Sequence, residues 1–233
     1  FGRLIKNTVF LSLYSLIFSF PFPILFALLL NELRAPRLKK VYQTISYLPH
    51  FVSVVVLVGL MQSLLSPAGG PIDKLTHALG GQRVDYMRAS RWFRTLYVGS
   101  GIWQSFGWNS IVYLAALTGI SPELYEAATV DGANRYRQAL HVTLPGIMPT
   151  MVILLILNMG NILNVGSDKI LLMYSPNTYD VADVISTYVY RKSLLGGEFS
   201  FGVAMGLFNN VFNLLFVAVA NAISRRVTEV SLW

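Results

Sequence analysis

The sequence predicts an all-α integral membrane protein, and three observations carry that prediction. Charged residues make up 12% of the 233, against about 25% in ordinary soluble domains. The charges avoid five long stretches, 8–31, 41–72, 95–122, 142–167 and 199–224, none of which holds an Asp, Glu, Lys or Arg. Each stretch exceeds the ~20 residues a helix needs to cross the hydrocarbon core of a bilayer. The stretches are also continuously apolar, whereas the strands of a transmembrane barrel alternate.

Taken in order, the expected spans are 8–31, 44–65, 95–118, 146–165 and 201–224, at least five helices in one domain covering 1–233. The first is too long, and too weakly flanked by basic residues, for a signal peptide, and it lacks a small-residue cleavage pattern. The chain begins with Phe rather than Met, so a further N-terminal helix is expected to precede it. Between the first two spans, ELRAPRLKK sets Arg34, Arg37, Lys39 and Lys40 against Glu32, which marks a cytoplasmic loop. The loops at 66–94 and 166–200 then fall outside, while the connection 119–145 and the tail with Arg225 and Arg226 fall inside. One loop runs against the charge rule: 66–94 carries Lys74, Arg83, Arg88, Arg91 and Arg94 with only Asp73 and Asp85.

The inner connection contains SPELYEAATVDGANRYR, residues 121–137. Ser121 is an N-cap residue, Pro122 suits the first helical position, and Glu123 and Glu126 complement the positive helix end. Gly132 can take the left-handed conformation that closes a helix. A helix over 122–131 follows, ~15 Å long at 1.5 Å per residue and too short to span. Leu124 and Tyr125 are its apolar anchors, and Ala127 and Ala128 permit close approach of another backbone. Asp131, near the negative end, either shapes the Asp-Gly turn or pairs with a cation such as Arg135 or a partner residue.

Composition also narrows the function. The chain has no cysteine, which removes disulfides, thiolate metal sites and a Cys nucleophile. Three scattered histidines and no paired carboxylates within a span leave no catalytic constellation, so no enzyme and no bound cofactor or metal is expected. Ion-coupled secondary transporters carry ionisable groups inside the membrane, and the five stretches hold none. A channel leaves the capped helix without a role. The net charge of +7 reports membrane orientation first, with no nucleic acid expected and lipid as the surrounding partner.

The segment EAATVDGANRYRQALHVTLPGIMP, residues 126–149, resembles the EAA signature of permease subunits of binding-protein-dependent ABC importers. Glu126, Ala127, Ala128, Asp131, Gly132, Leu144, Pro145 and Pro149 match that pattern. KNT before the first span, ALLLNE at its end, YLPHFVS, IWQSFGWNSIVYLAAL, DVISTYVYR and NAISRR are similar to importers of the oligosaccharide or polysaccharide type. The resemblance implies a non-catalytic permease of the bacterial inner membrane. Its expected partners are a second, related permease chain, two cytoplasmic ATPase subunits holding ATP and Mg, and an external solute-binding protein. It assigns Glu126, Ala127, Ala128, Asp131 and Gly132 to the ATPase contact, with Leu124 and Tyr125 as apolar supports. The chain itself has no G-x-x-x-x-G-K-[ST] phosphate loop. A non-sugar importer of the same family is the alternative.

Polar residues inside spans face a protein interior or a watery cavity. Asn158, Asn161 and Asn164 recur every three residues; Gly202, Gly206, Asn209 and Asn213 recur at helical spacing; and Gln104, Trp108 and Asn109 lie together. Two readings stand: interhelical hydrogen bonding, or a sugar pathway in which amides bind hydroxyls and aromatic faces stack on rings. Arg83, Arg88, Arg91, Arg94, Arg191 and Lys192 either anchor at lipid headgroups or favour an anionic saccharide or an acidic binding protein. His50, after Pro49, is read as a helix-kink neighbour, and His141 as part of the cytoplasmic end of the fourth span.

Overall fold

The computed structural model describes residues 1–228 and 230–232, and its regular structure is helical, with no strand among the described residues. In chain order the helices are α1 (Gly2–Ser19), α2 (Pro21–Glu32), α3 (Pro36–Tyr47), α4 (Val54–Leu64), α5 (Pro71–Ala78), α6 (Ser90–Thr118) and α7 (Pro122–Val130). They continue as α8 (Arg135–Gln138), α9 (Leu144–Met159), α10 (Ser167–Met173), α11 (Tyr179–Ala182), α12 (Ile185–Val189) and α13 (Phe199–Val227). Prolines open α2, α3, α5 and α7, where a missing N–H is harmless and the fixed φ suits the first turn.

Among the described residues, three segments are long and apolar enough to cross a membrane: Gly2–Glu32, Arg135–Met159 and Phe199–Arg226. Only 22%, 17% and 11% of their apolar windows is buried inside the chain, so most of that surface must meet lipid or another subunit rather than water. Along α13, Val203, Leu207, Val211, Leu214 and Ile223 are all exposed. An unpartnered apolar stripe of that length fits a membrane and not an aqueous surface.

The expected second span, 44–65, is broken. The segments Pro36–Phe51 and Val54–Leu64 are bent by 98° and count as a fourth crossing only if taken together. Pro49 lacks the N–H that would continue the ladder of α3, and a 3₁₀ turn, Leu48–Phe51, takes over. Ser53 then caps a new helix by accepting the Val56 N–H at 3.3 Å. The third expected span is a 29-residue helix, α6, but it is not among the three apolar segments, because Gln104, Asn109 and interspersed Gly and Ser dilute its run. By length and composition alone, three segments qualify among the described residues, or four if the bent pair is one span.

Two compact units divide the chain. The first comprises Phe1–Phe18, Phe51–Ile102 and Asn161–Asn213. Its core joins Leu11, Leu57, Val58, Phe93, Val98 and Ile170. Asn7 fastens α1 there by donating to the carbonyls of Asp180 (2.9 Å) and Asp183 (3.0 Å), and the Ile185 N–H donates to Thr8 Oγ1 at 3.0 Å.

The second unit comprises Ser19–His50, Trp103–Gly160 and Leu214–Trp233, around Ile24, Ala27, Tyr113, Leu117 and Ile147. Here α6 packs directly on α3, for a Cβ on Gly107 would collide with the Ser46 backbone carbonyl. Backbone cannot swing aside as a flexible side chain would. Gly107→Ala is expected to lower stability by about 1–3 kcal/mol, the range for overpacking a fitted contact, read as a lower unfolding midpoint in detergent.

Candidate coupling helix and pathway residues

The inner connection folds as its residues dictate. Ser121 accepts the Glu123 N–H at 3.3 Å, and α7 runs nine residues to Val130, one short of the expected 122–131. Asp131 is the C-cap and Gly132 has φ +75°. The N–H of Ala133 bonds the Ala128 carbonyl at 2.9 Å and that of Gly132 the Thr129 carbonyl at 3.0 Å, a Schellman closure. Local capping thus makes a rigid rod without help from a core: no residue of α7 is buried.

Two side-chain contacts tie this rod to the residues that follow it in the second unit. Tyr125 Oη lies 3.1 Å from Thr143 Oγ1, in the π-helical turn Ala139–Thr143 just ahead of α9. Pro145 lacks the N–H that would bond the His141 carbonyl, which accounts for a widened turn at this place. Gln138 Nε2 donates to Thr129 Oγ1 at 3.0 Å. Arg135 pairs with Glu32 at the end of α2, 3.1 Å away, and not with Asp131. His141 Nδ1 meets the Arg137 carbonyl at 3.0 Å, consistent with its expected place at the start of the fourth apolar segment. Of the two expected apolar supports, Tyr125 is half-buried and tied down, while Leu124 is exposed. Glu126 and Asp131 are exposed, and neither enters an ion pair among the described residues. Val130 (88% exposed) and Tyr136 add further apolar surface beside them.

The expected pathway residues are distributed between the units. In the second unit, Trp108 stacks on His50 with ring centres 4.6 Å apart and planes within 1°, and Tyr47 meets it edge-on at 6.4 Å. Sequence reasoning placed His50 at a kink, which the 3₁₀ turn bears out, but did not pair it with Trp108. Gln104 is half-buried and Asn109 exposed on the same helix. Asn158 is exposed and folds its amide back on the Leu154 carbonyl at 2.7 Å.

The triplet Asn158, Asn161 and Asn164 forms no helical stripe. α9 stops at Met159, and Asn161 and Asn164 sit in the following turn, hydrogen-bonded to each other at 3.3 Å. In the first unit, Asn213 on α13 is buried and accepts the Leu163 N–H at 3.3 Å, which ties α13 to the turn after α9. Asn209 leaves its Oδ1 buried and unbonded. Gly202 is a packing glycine, because a Cβ there would strike the Ser193 side chain.

The basic residues of 66–94 and 166–200 are largely paired within the chain. Arg83 meets Asp73 at 3.7 Å, Arg88 Asp85 at 3.8 Å, Arg191 Asp183 at 2.8 Å and Lys192 Glu198 at 3.2 Å. Arg94 lies 5.5 Å from the Phe10 ring centre, and Arg91 5.8 Å from that of Trp92. An intramolecular carboxylate removes most of the pull on an outside anion, so these side chains fit the anionic-saccharide expectation poorly. One cation missed in the sequence differs: Lys169 on α10 is buried, and burial pulls its pKa down to about 8.

Fold and site together define a class, an all-α membrane protein presenting a short, capped, unburied helix from one connection. The model of the family described as "Binding-protein-dependent transport system inner membrane component" matches residues 19–229, and the chain belongs to that family, the permeases of binding-protein-dependent transport. It is 43% identical over 229 residues to the polygalacturonan/rhamnogalacturonan transport system permease protein YteP of Bacillus subtilis, covering 98% of this chain and 71% of the relative. It is 39% identical over 233 residues to protein LplB of the same organism, covering 100% of this chain and 73% of the relative. Among solved structures, a chain of a bacterial alginate ABC transporter in complex with an alginate pentasaccharide-bound periplasmic protein is similar. It has a TM-score of 0.95 and 47% identity, over 100% of this chain and 81% of that one.

Proposed function

We propose that this chain is the permease subunit of an ATP-driven importer of the bacterial inner membrane, carrying an acidic oligosaccharide or polysaccharide handed over by an external binding protein. The observation that carries the reading is the likeness to the alginate transporter chain, 47% identical over the whole of this chain. The relative named for polygalacturonan and rhamnogalacturonan points to the same cargo chemistry, since polygalacturonan and alginate are both chains of uronic acids. A second permease chain completes the pathway, and two cytoplasmic ATPases supply the energy with their own ATP and Mg.

In this reading α7 is the contact through which the ATPases act. Glu126, Ala127, Ala128, Asp131, Gly132 and the exposed Leu124 present the docking face, and Tyr125 passes its displacement to Thr143 and α9. A helix with fixed ends moves as a rod, so a push at its face is not absorbed by fraying. Gln104, Trp108 and Asn109, with His50 and Tyr47 beside Trp108, are the stronger pathway candidates, because the aromatic faces suit sugar rings and the amides suit hydroxyls.

The absence of cysteine makes the test clean. A single Glu126→Cys variant, co-expressed with the ATPase carrying single cysteines around its docking groove, is expected to form a disulfide on mild oxidation. Formation of the bond from Phe199→Cys but not from Glu126→Cys would contradict the assignment.

A further inference from the structure

Lys169 differs from the other paired cations of the first unit. Arg83, Arg88, Arg191 and Lys192 each meet a carboxylate, whereas Lys169 enters no ion pair among the described residues. It is nonetheless only 9% exposed. An ammonium has three donors and a full charge. One donor reaches the Tyr97 carbonyl at 2.8 Å, and the ammonium lies 4.8 Å from the Tyr97 ring centre. Both contacts hold the amine against α6, and neither supplies a counter-charge. A buried charge in that condition is unfavourable by itself, and it attracts an anion more strongly than a surface cation does, because little water screens it.

The helix beside it leaves room. Gly101 follows Tyr97 by one turn, and a Cβ there would lie 3.5 Å from Lys169 Nζ, so no side chain of that residue occupies the flank of the ammonium. The turn after α9 reaches the same neighbourhood: a Cβ on Gly166 would lie 3.7 Å from the Tyr97 hydroxyl. One glycine thus borders the amine and the other the tyrosine that holds it.

We propose that Lys169 recognises a carboxylate of the transported saccharide, receiving it on the unfilled donors beside the Tyr97–Gly101 turn of α6. This rests on the saccharide reading above and narrows it to chains bearing uronic acid. A neutral sugar can accept one hydrogen bond from the amine but leaves the charge uncompensated; a uronate supplies both. Lys169 is then a specificity-determining residue, distinct from the face that contacts the ATPases. A purely structural amine, tying α10 to α6, would instead affect all substrates alike.

The test uses the complete importer in liposomes, with its binding protein saturated by an oligogalacturonate or by its carboxyl-reduced, neutral counterpart. The readout is the ratio of maximal uptake rates, acid over neutral. Lys169→Gln is expected to lower that ratio at least tenfold, the loss of a charge-assisted bond, and Lys169→Arg to stay within threefold of the parent. Gly101→Asp, which places a carboxylate beside the amine, is expected to lower the ratio likewise, and it decides the matter if Lys169→Gln fails to assemble. An unchanged ratio in both Lys169→Gln and Gly101→Asp overturns the proposal, even if both rates fall. Equal uptake of both saccharides by the parent overturns it while leaving the saccharide reading standing. Uptake of neither overturns both.

Discussion

Glu126→Lys combined with Gly132→Pro is expected to abolish binding-protein-stimulated ATP hydrolysis, a loss of tenfold or more, while the permease still inserts and folds. Gly132 holds φ at +75°, where proline, fixed near −65°, cannot go. Proline also deletes the N–H that closes α7 on the Thr129 carbonyl at 3.0 Å. The helix end opens, and its orientation against α9 is lost with it. Glu126→Lys reverses the charge of an exposed carboxylate on the proposed docking face. Neither change touches the core, because α7 buries no residue. Assembly should therefore survive in detergent, and normal stimulated hydrolysis in the double variant would sink the assignment of α7 as the coupling element.

The second large effect is on stability. Asp183 accepts from Thr187 Oγ1 at 2.7 Å and from Arg191 Nη2 through both of its oxygens, at 2.9 and 2.8 Å. Its side chain is 8% exposed against 34% for Arg191, and Arg191 Nη1 is already buried without a partner. Asp183→Ala leaves a half-buried guanidinium with no anion. Breaking a fully buried pair costs about 3–5 kcal/mol, and the partial exposure of Arg191 lowers this to about 2–3 kcal/mol. The asymmetry of such pairs predicts that Asp183→Ala with Arg191→Met recovers much of the loss. Thermal unfolding of the purified chain reads both, and a single variant as stable as the parent contradicts the account.

The two effects illustrate what local sequence shows. Ser121, Pro122 and Gly132 announced α7 because capping is settled by neighbours a few residues away. Asp183, Thr187 and Arg191 stand four apart in the sequence, a spacing that makes their pairing legible, although Asp183 precedes α12 and Arg191 lies in the π-helical turn after it. Pro49 was visible as a kink, but the apolar run across it concealed a 98° break. A hydropathy window averages over side chains and is blind to a missing N–H.

The amide triplet does not share one helix face, for a related reason. Period-three spacing means one face only while the helix lasts, and Gly160 with Asn161, both common beyond helix ends, marked where α9 stops. Lys169 had no local signal at all. Its burial comes from packing against α6, 72 residues earlier in the chain, and only the folded structure shows that it enters no ion pair among the described residues.

In the proposed function, transport through this chain is driven by ATP on separate cytoplasmic subunits and depends on an external binding protein. Uptake of labelled oligogalacturonate into liposomes holding the full complex measures it directly, with loaded binding protein outside and ATP with Mg sealed inside. The account predicts uptake that requires both and that stops when the ATPase is inactivated. Uptake that proceeds without ATP, driven by an imposed proton or sodium gradient, would contradict it.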